Sequence, residues 1–327
     1  MMKRVFAIVL ALALVLTMGA CAKKEEKVTI RLAHNVTLGG TEDKAANKFA
    51  ELVKEKTNGT VEVTVYGGGQ LGDETELLEG LQLGTVDAAL ATSAYISNLV
   101  PQFGLLDLPF LFSDYQDVHD KLEGEAGEYL KDLLLEKENI RVLGYFCSGF
   151  RVMLTKSAPI TCLADIQNRK MRAPEVPVYI DMFKALGAAP TPIPFGEVYT
   201  SINTNVVDGV EVCAEEMYTM KFHEVGNYIA KTNHIFSTMI PLISESLFQK
   251  LSESQQQAVL EAAAEAVEWE WNEFEEADAH ALSEMEASGI EVTELTDRDA
   301  WIDACSSMQD SYAADYEAED LLAMLRK

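Results

Sequence analysis

The chain has 327 residues, 26 Lys and Arg against 53 Asp and Glu, a formal net charge of −27, and 48% hydrophobic residues, which is a globular composition with room for two ordinary domains or one large one. So acidic a chain excludes nucleic acid as a partner, because a phosphate backbone would be repelled and not neutralised. Any anion it binds must be held by local geometry, since the overall field opposes it.

The first residues, "MMKRVFAIVLALALVLTMGAC", carry Lys3 and Arg4, an apolar run to Leu16, and small residues before Cys21. This reads as an export signal ending in a bacterial lipobox, with Cys21 the lipidated first residue of the mature chain and 21–27 a hydrophilic tether. The apolar run is too short to span a membrane, which takes roughly twenty residues, so the only membrane attachment expected is the lipid. Removing residues 1–20, which hold two cations and no acid, takes the charge from −27 to −29. The protein is therefore expected outside the cytoplasm, on the outer face of the cytoplasmic membrane or in the periplasm.

After the tether, "KVTIRLAHN" alternates as a strand, and "TEDKAANKFAELVKEKTNG" has helix periodicity with Thr41 as its cap. "TVEVTVY", "GDETELLEGLQLG" and "TVDAALAT" continue as strand, helix, strand, the signature of a mostly parallel sheet covered by helices. Residues 140–160 read as one long or two abutting strands. A strand around Arg172, the helix "PVYIDMFKALG" and the strand fragment "APTPIP" follow, so the pattern restarts near residue 149 as a second α/β lobe. Residues 252–289 contain no proline or internal glycine and predict one very long helix capped by Ser252 or Ser254, about 50 Å of rod that braces both lobes. The fold class is thus α/β and two-lobed, with 28–148 and about 237–270 in one lobe and 149–236 and about 271–327 in the other.

Several motifs fail as chemistry. "YGGGQLG" has the G-x-G-x-x-G spacing at Gly67, Gly69 and Gly72, but a pyrophosphate would face Asp73, Glu74 and Glu76 at the helix start. Asp87 also lies too near to be the ribose-binding acid. "HEVGN" at His223 has Asn227 where a second zinc ligand must stand. No nucleophile motif has a base beside it. No catalytic residue, metal or cofactor is therefore assigned. Cys147, Cys162, Cys213 and Cys305 show no C-x-x-C spacing and are expected as thiols, with one disulfide possible in an exported chain.

Arg151 in "CSGFRVMLT" and Arg172 in "KMRAP" sit in successive apolar strand-like segments. Neighbouring strands would bring the guanidinium groups together, and two close cations call for an anion between them. A carboxylate accepts two parallel bonds from one guanidinium. Each arginine could equally pair with an internal acid such as Glu175, Glu197 or Glu211, and spacing does not choose.

The run "GFRVMLTKSAPI…LADIQNRKMRAPEVPVYIDMFKALGAAPTPIPFGEVYTSINTNVVDGVE…KFHEVGNYIAKTNH", together with "RLAHN", "QLGDE" and "FGLLDLPFLF", resembles the DctP family. These are the extracytoplasmic solute-binding proteins of tripartite ATP-independent periplasmic (TRAP) transporters. The resemblance covers roughly residues 28–290. It implies a two-lobed periplasmic-binding-protein-like fold that traps a small organic acid and delivers it to TRAP membrane subunits. It makes Arg172 the carboxylate clamp and Arg151 the second cation. Asn205 in "TNVVDG" becomes a further carboxylate contact, Phe195 in "PIPFGEVY" an aromatic wall, and His34 and Glu74 contacts to ligand hydroxyls. Glu211 is either a ligand contact or a cleft support. Where the family usually has "ENP" after that glutamate, this chain has Val212 and Cys213, which removes an amide contact expected for a uronate. Glu215 and Glu216 follow and would meet an amine or hydroxyl if they face the cleft. The rival classes are an exported enzyme on the same scaffold, with Glu74 or Glu211 as general base, and a sensor-type lipoprotein.

Overall fold

The computed structural model describes residues 26–327. The expected export signal and the expected lipidation position, Cys21, lie outside them. Among the described residues no helix is long and apolar enough to cross a membrane.

The first part of the chain runs β1 (Val28–Ala33), α1 (Thr41–Lys56), β2 (Val61–Tyr66), α2 (Glu74–Leu83), β3 (Ala88–Thr92), α3 (Glu125–Glu138), β4 (Ile140–Val142) and β5 (Phe146–Phe150). Period-2 alternation in β1 buries Ile30 and Leu32 against α1 residues such as Phe49 and Val53. The second part runs β6 (Val152–Thr155), β7 (Lys170–Ala173), α4 (Pro177–Ala185), β8 (Ala189–Pro192), β9 (Gly209–Val212), α5 (Ala214–Thr219) and β10 (Tyr228–Lys231). The chain then returns through β11 (Phe236–Ser244), α6 (Glu253–Ala287), β12 (Glu291–Glu294), α7 (Arg298–Cys305), α8 (Met308–Asp315) and α9 (Glu319–Leu325).

Two six-stranded sheets result. One has the order β2-β1-β3-β11-β4, with β5 also paired to β11; the other has the order β12-β10-β6-β9-β7-β8. The parallel pairs β1/β2, β1/β3, β7/β8 and β7/β9 follow from strand-helix-strand units, and the antiparallel partners come from strands arriving from the other lobe. The 140–160 segment is neither one strand nor two but three. Gly144 breaks it first, and then Arg151 marks the step from the first sheet to the second.

The long helix α6 is capped as expected: Ser252 Oγ accepts from Gln255 N at 3.3 Å, and Ser252 N donates to Gln255 Oε1 at 3.0 Å. Val259, Ala262, Ala263, Ala266 and Val267, one face at helical spacing, pack into the first lobe. Leu282 and Met285 near its far end join the core of the second. One rod thus spans both lobes.

Two details differ from the sequence reading. Gly40, not Thr41, is the N-cap of α1. Thr41 N instead donates to Glu215 Oε1 at 3.0 Å, so a carboxylate from the other lobe satisfies an orphan donor of this helix end. The C-terminal tail is shared between lobes: α7 packs beside α4, whereas α8 and α9 return to the first lobe, with Tyr312 Oη donating to Pro101 O at 2.9 Å and Gln309 Nε2 to Pro109 O at 3.0 Å. Cys147, Cys162, Cys213 and Cys305 are free thiols.

The crossover needs glycine at 149. Its φ is +83°, and an added Cβ would lie 2.7 Å from Phe274 Cε1 on α6. Gly149→Ala is therefore expected to cost about 1–3 kcal/mol or more, read as a lower urea midpoint with unchanged slope.

Candidate functional site

Between the two sheets lies a narrow cleft, nearly closed over in this structure. Its walls come from the segment after β1 (Asn35, Val36), from Glu74 and Thr92 of the first lobe, and from Arg151, Arg172, Phe195 and Glu216. The β7/β8 pairing sets Arg172 opposite Thr191, on a strand between the fully buried β9 and the largely exposed edge strand β8. The guanidinium is held on one edge only: Nε donates to Ile193 O at 2.9 Å, and its carbon stands 5.9 Å from the centre of the Phe195 ring.

Arg172 is 2% exposed, yet among the described residues it forms no ion pair with a protein carboxylate. Burial pushes its pKa down, as does neighbouring Arg151, while Tyr95 and Glu211 push it up. An arginine stays charged under such pressure. A buried cation that lines a cleft without a protein carboxylate to match it suits an anionic ligand.

Arg151 is differently placed. Its Nε is ion-paired to Glu211 Oε2, and Nη2 donates to Glu211 Oε1 at 3.0 Å and to Glu211 O at 2.8 Å. Nη1 reaches Ser237 Oγ at 3.3 Å, and the guanidinium lies 5.2 Å from the Tyr179 ring. Its charge is matched within the protein. The β6/β9 register, with Met153 opposite Glu211, makes this possible by placing Glu211 on the strand next to the crossover. Glu211 is fully buried, and despite burial its pKa is lowered by Arg151 and by bonds to Arg151 and His234. Both of its carboxylate oxygens are engaged by Arg151.

Glu74 stands at the cleft with Oε2 accepting from Thr92 N at 2.5 Å and Thr92 Oγ1 at 2.8 Å. Burial raises its pKa, offset in part by those bonds and by Arg172 and Arg151. Its placement comes from the helix cap behind it: Glu76 N donates to Asp73 Oδ1 at 3.0 Å, and Asp73 N to Glu76 Oε2 at 3.0 Å, which leaves Glu74 free to turn inward. That same capping box occupies the helix end where the glycine motif would have needed a phosphate.

Two expected residues are not brought to the cleft. His34 is buried behind it, with Nε2 3.1 Å from Asp43 Oδ1 and its ring packed so closely on Gly67 that a Cβ there would sit 2.7 Å away. Burial lowers its pKa against the opposing pull of Asp43. Asn205 is on an exposed turn after residues 198–203 with φ +59°, where its backbone N donates to Ile202 O at 3.1 Å. Asn tolerates that left-handed conformation better than most residues, which accounts for its presence there. Residues the sequence reading did not name also line the site: Tyr95, Tyr179 and Ser237. Helical spacing in "PVYIDMFKALG" could have pointed Tyr179 inward; Ser237 carries no sequence signal.

Tyr179 Oη donates to Asp107 Oδ1 at 2.8 Å, joining α4 to the first lobe, and burial lifts Asp107 to about 7. A second acidic group lies beside the cleft where α1, α5 and α6 meet. Burial raises Glu216 to about 7 and Asp278 to about 6, and it raises Glu42 and Glu270 well above the carboxyl range. Asp278 Oδ1 accepts from Glu215 N at 2.8 Å, and Glu270 Oε2 from Cys147 N at 2.8 Å.

A comparison with known proteins places these features in context. The family model described as bacterial extracellular solute-binding protein, family 7 (DctP) matches residues 32–316. A solute-binding protein of Roseobacter denitrificans is 36% identical over 295 residues, 89% of this chain and 90% of that protein. The sugar acid binding protein of Advenella mimigardefordensis, solved in complex with galactonate, superimposes with a TM-score of 0.89 at 28% identity, covering 93% of this chain and 99% of that one. A TRAP periplasmic solute binding protein from Sulfurospirillum deleyianum with bound succinate gives a TM-score of 0.86 at 33% identity, covering 92% and 99%.

Two outcomes follow from the site's charges. Replacing Glu211 with Gln is expected to destabilise the protein by about 3–5 kcal/mol, because it strands the Arg151 charge in the interior, and a chemical denaturation curve would show it. The raised carboxyls fix a pH dependence as well. A carboxyl whose folded pKa lies above its unfolded value stabilises below the unfolded value, and that stability is lost as pH rises through the folded value. The melting temperature of the ligand-free protein is therefore expected to fall between the ordinary carboxyl range and the folded values of about 6 for Asp278 and about 7 for Asp107 and Glu216. Buried His34 and His234, whose pKa values are lowered, work in the opposite sense over part of that window. Asp278→Asn isolates the acidic contribution: the slope of melting temperature against pH should become shallower in that variant.

Proposed function

Because the chain belongs to the bacterial extracellular solute-binding protein family 7, DctP, we propose that it is the capture subunit of a TRAP transporter. It takes up a small organic acid, a sugar acid or a hydroxy or keto monocarboxylate, through an ion pair between the ligand carboxylate and Arg172. It then hands the ligand to membrane subunits, tethered near them by a lipid on Cys21. The observation that supports this reading is the buried guanidinium of Arg172, open toward the cleft and unmatched by any protein carboxylate among the described residues.

Ligand entry supplies the missing anion, and closure of the lobes removes water from the pair, which strengthens it. Phe195 and the Ile193 carbonyl hold the guanidinium plane before the ligand arrives, so less freedom is lost on binding. Because binding and closure are one equilibrium, a ligand shifts it only by its preference for the closed form. Arg151 contributes field to the carboxylate; its own bonds remain with Glu211. The similar protein solved with galactonate favours sugar acids as the first class to screen, and bound ligand will be seen as raised thermal stability.

Arg172→Ala is expected to lose about 2–5 kcal/mol of binding, roughly 30-fold to several thousand-fold in Kd, for whichever acid the wild type binds. Arg172→Lys should recover little of this, since an ammonium cannot replace the two-pronged donor. Titration calorimetry giving wild-type affinity in either variant removes Arg172 from the site.

A further inference from the structure

The cleft holds a second acid besides Glu74. Glu216 is on the first turn of α5, and its neighbours fix which way it faces. Glu215 turns out of the cleft to Thr41 N at 3.0 Å, and its own backbone N is held by Asp278 Oδ1 at 2.8 Å. With the helix start pinned on both sides, Glu216 lines the same cleft as Arg172 and Glu74. The donor that reaches it from the protein is the Cys213 thiol, a weak one. Val212, the last residue of β9, also lines the cleft and offers no polar side chain.

The charges of this pocket decide what fits. Arg151 is neutralised by Glu211, so the free inventory is one cation, Arg172, and two carboxyls, Glu74 and Glu216. A ligand carboxylate satisfies Arg172. A second ligand carboxylate has no cation left to meet and would share the cleft with two acids, and like charges in a desolvated site cost several kcal/mol. A ligand O–H or N–H donor, by contrast, finds acceptors on Glu216 and on the remaining oxygen of Glu74.

Resting on the reading of Arg172 above, we propose that Glu216 is a specificity-determining residue: it makes this protein accept monocarboxylates bearing hydrogen-bond donors, hydroxyl or ammonium, and refuse dicarboxylates. In this it departs from the structurally similar protein that holds succinate. The groups around Glu216 act on its ionisation from every side. Burial is the largest influence and raises it to about 7; Arg151 at the crossover lowers it, and Glu215 on its own helix and Glu74 in the first lobe raise it. Glu42 on α1 also repels it. A donor-bearing ligand relieves that repulsion.

The test is titration calorimetry at pH 8 of the wild type and Glu216→Gln. The probes are D-galactonate and D-glucuronate, the chain-matched set 4-hydroxybutyrate, 4-aminobutyrate and succinate, and the donor-free butyrate. The wild type should prefer a hydroxylated or aminated monocarboxylate over succinate by about 100-fold or more; galactonate against 4-aminobutyrate tells hydroxyl from ammonium. Glu216→Gln should narrow that preference by about tenfold or more, through tighter succinate and weaker donor-bearing acid. The wild-type comparison stands even if the variant does not fold. Succinate bound by the wild type as tightly as the best donor-bearing acid overturns the proposal, and so does a preference unchanged in a folded Glu216→Gln. If Arg172→Ala abolishes binding while either result holds, only the role of Glu216 fails. Binding that survives in Arg172→Ala, or no binding of any carboxylate, overturns the capture reading with it.

Discussion

The structure depends on one buried ion pair, Arg151 with Glu211, at the place where the chain leaves one sheet for the other. Arg151 is the single residue between β5 and β6, and its backbone N also donates to Ile235 O at 2.9 Å, on the return crossing. Its guanidinium is bonded by both carboxylate oxygens and the backbone carbonyl of Glu211 and by Ser237, and it is covered by Tyr179. A buried pair of this kind contributes little net stability relative to apolar residues, because desolvation offsets the attraction. Its effect is positional. It locks the crossing strands at the floor of the cleft and consumes one of two nearby cations, so that the other, Arg172, is left with a charge to be matched from outside.

Around that floor the lobes meet through acids. Glu215 caps α1 from the opposite lobe, Asp107 joins Tyr179 across the gap, and Asp278 on α6 holds the start of α5. These contacts put carboxyls where little water reaches them, and burial favours their protonated forms. In a chain of net charge −27, this lowers the repulsion among acids where the two lobes meet. Among the described residues, the cation left without a protein carboxylate, Arg172, sits within this acidic surround.

The sequence was readable wherever the signal was local. Alternation and helical spacing gave β1, α1, β2, α2 and β3 in order, and the proline-free run from Ser252 gave α6 with its cap. The restart near 149 located the change of sheet. Local signals misread Thr41 because a threonine before a helix looks like a cap when its real partner, Glu215, lies 174 residues away in the chain. Asn205 entered the reading through the family resemblance; in the structure it occupies an exposed turn with φ +59°. His34 precedes two cleft residues and yet is itself turned to Asp43.

What the sequence alone determined is the kind of object: an acidic, two-lobed α/β chain, braced by one long helix, with two arginines in successive apolar segments and the marks of a solute-binding family. Those properties reside in periodicity, composition and short motifs, which survive without knowledge of any distant contact. Which arginine is paired within the protein and which is not, that Glu211 is the partner of Arg151, and that Glu216 and not Glu215 lines the cleft were decided only by the tertiary structure. The physical reason is that charge pairing depends on distance in space. Sixty positions separate Arg151 from Glu211 along the chain, and only strand register brings them into contact.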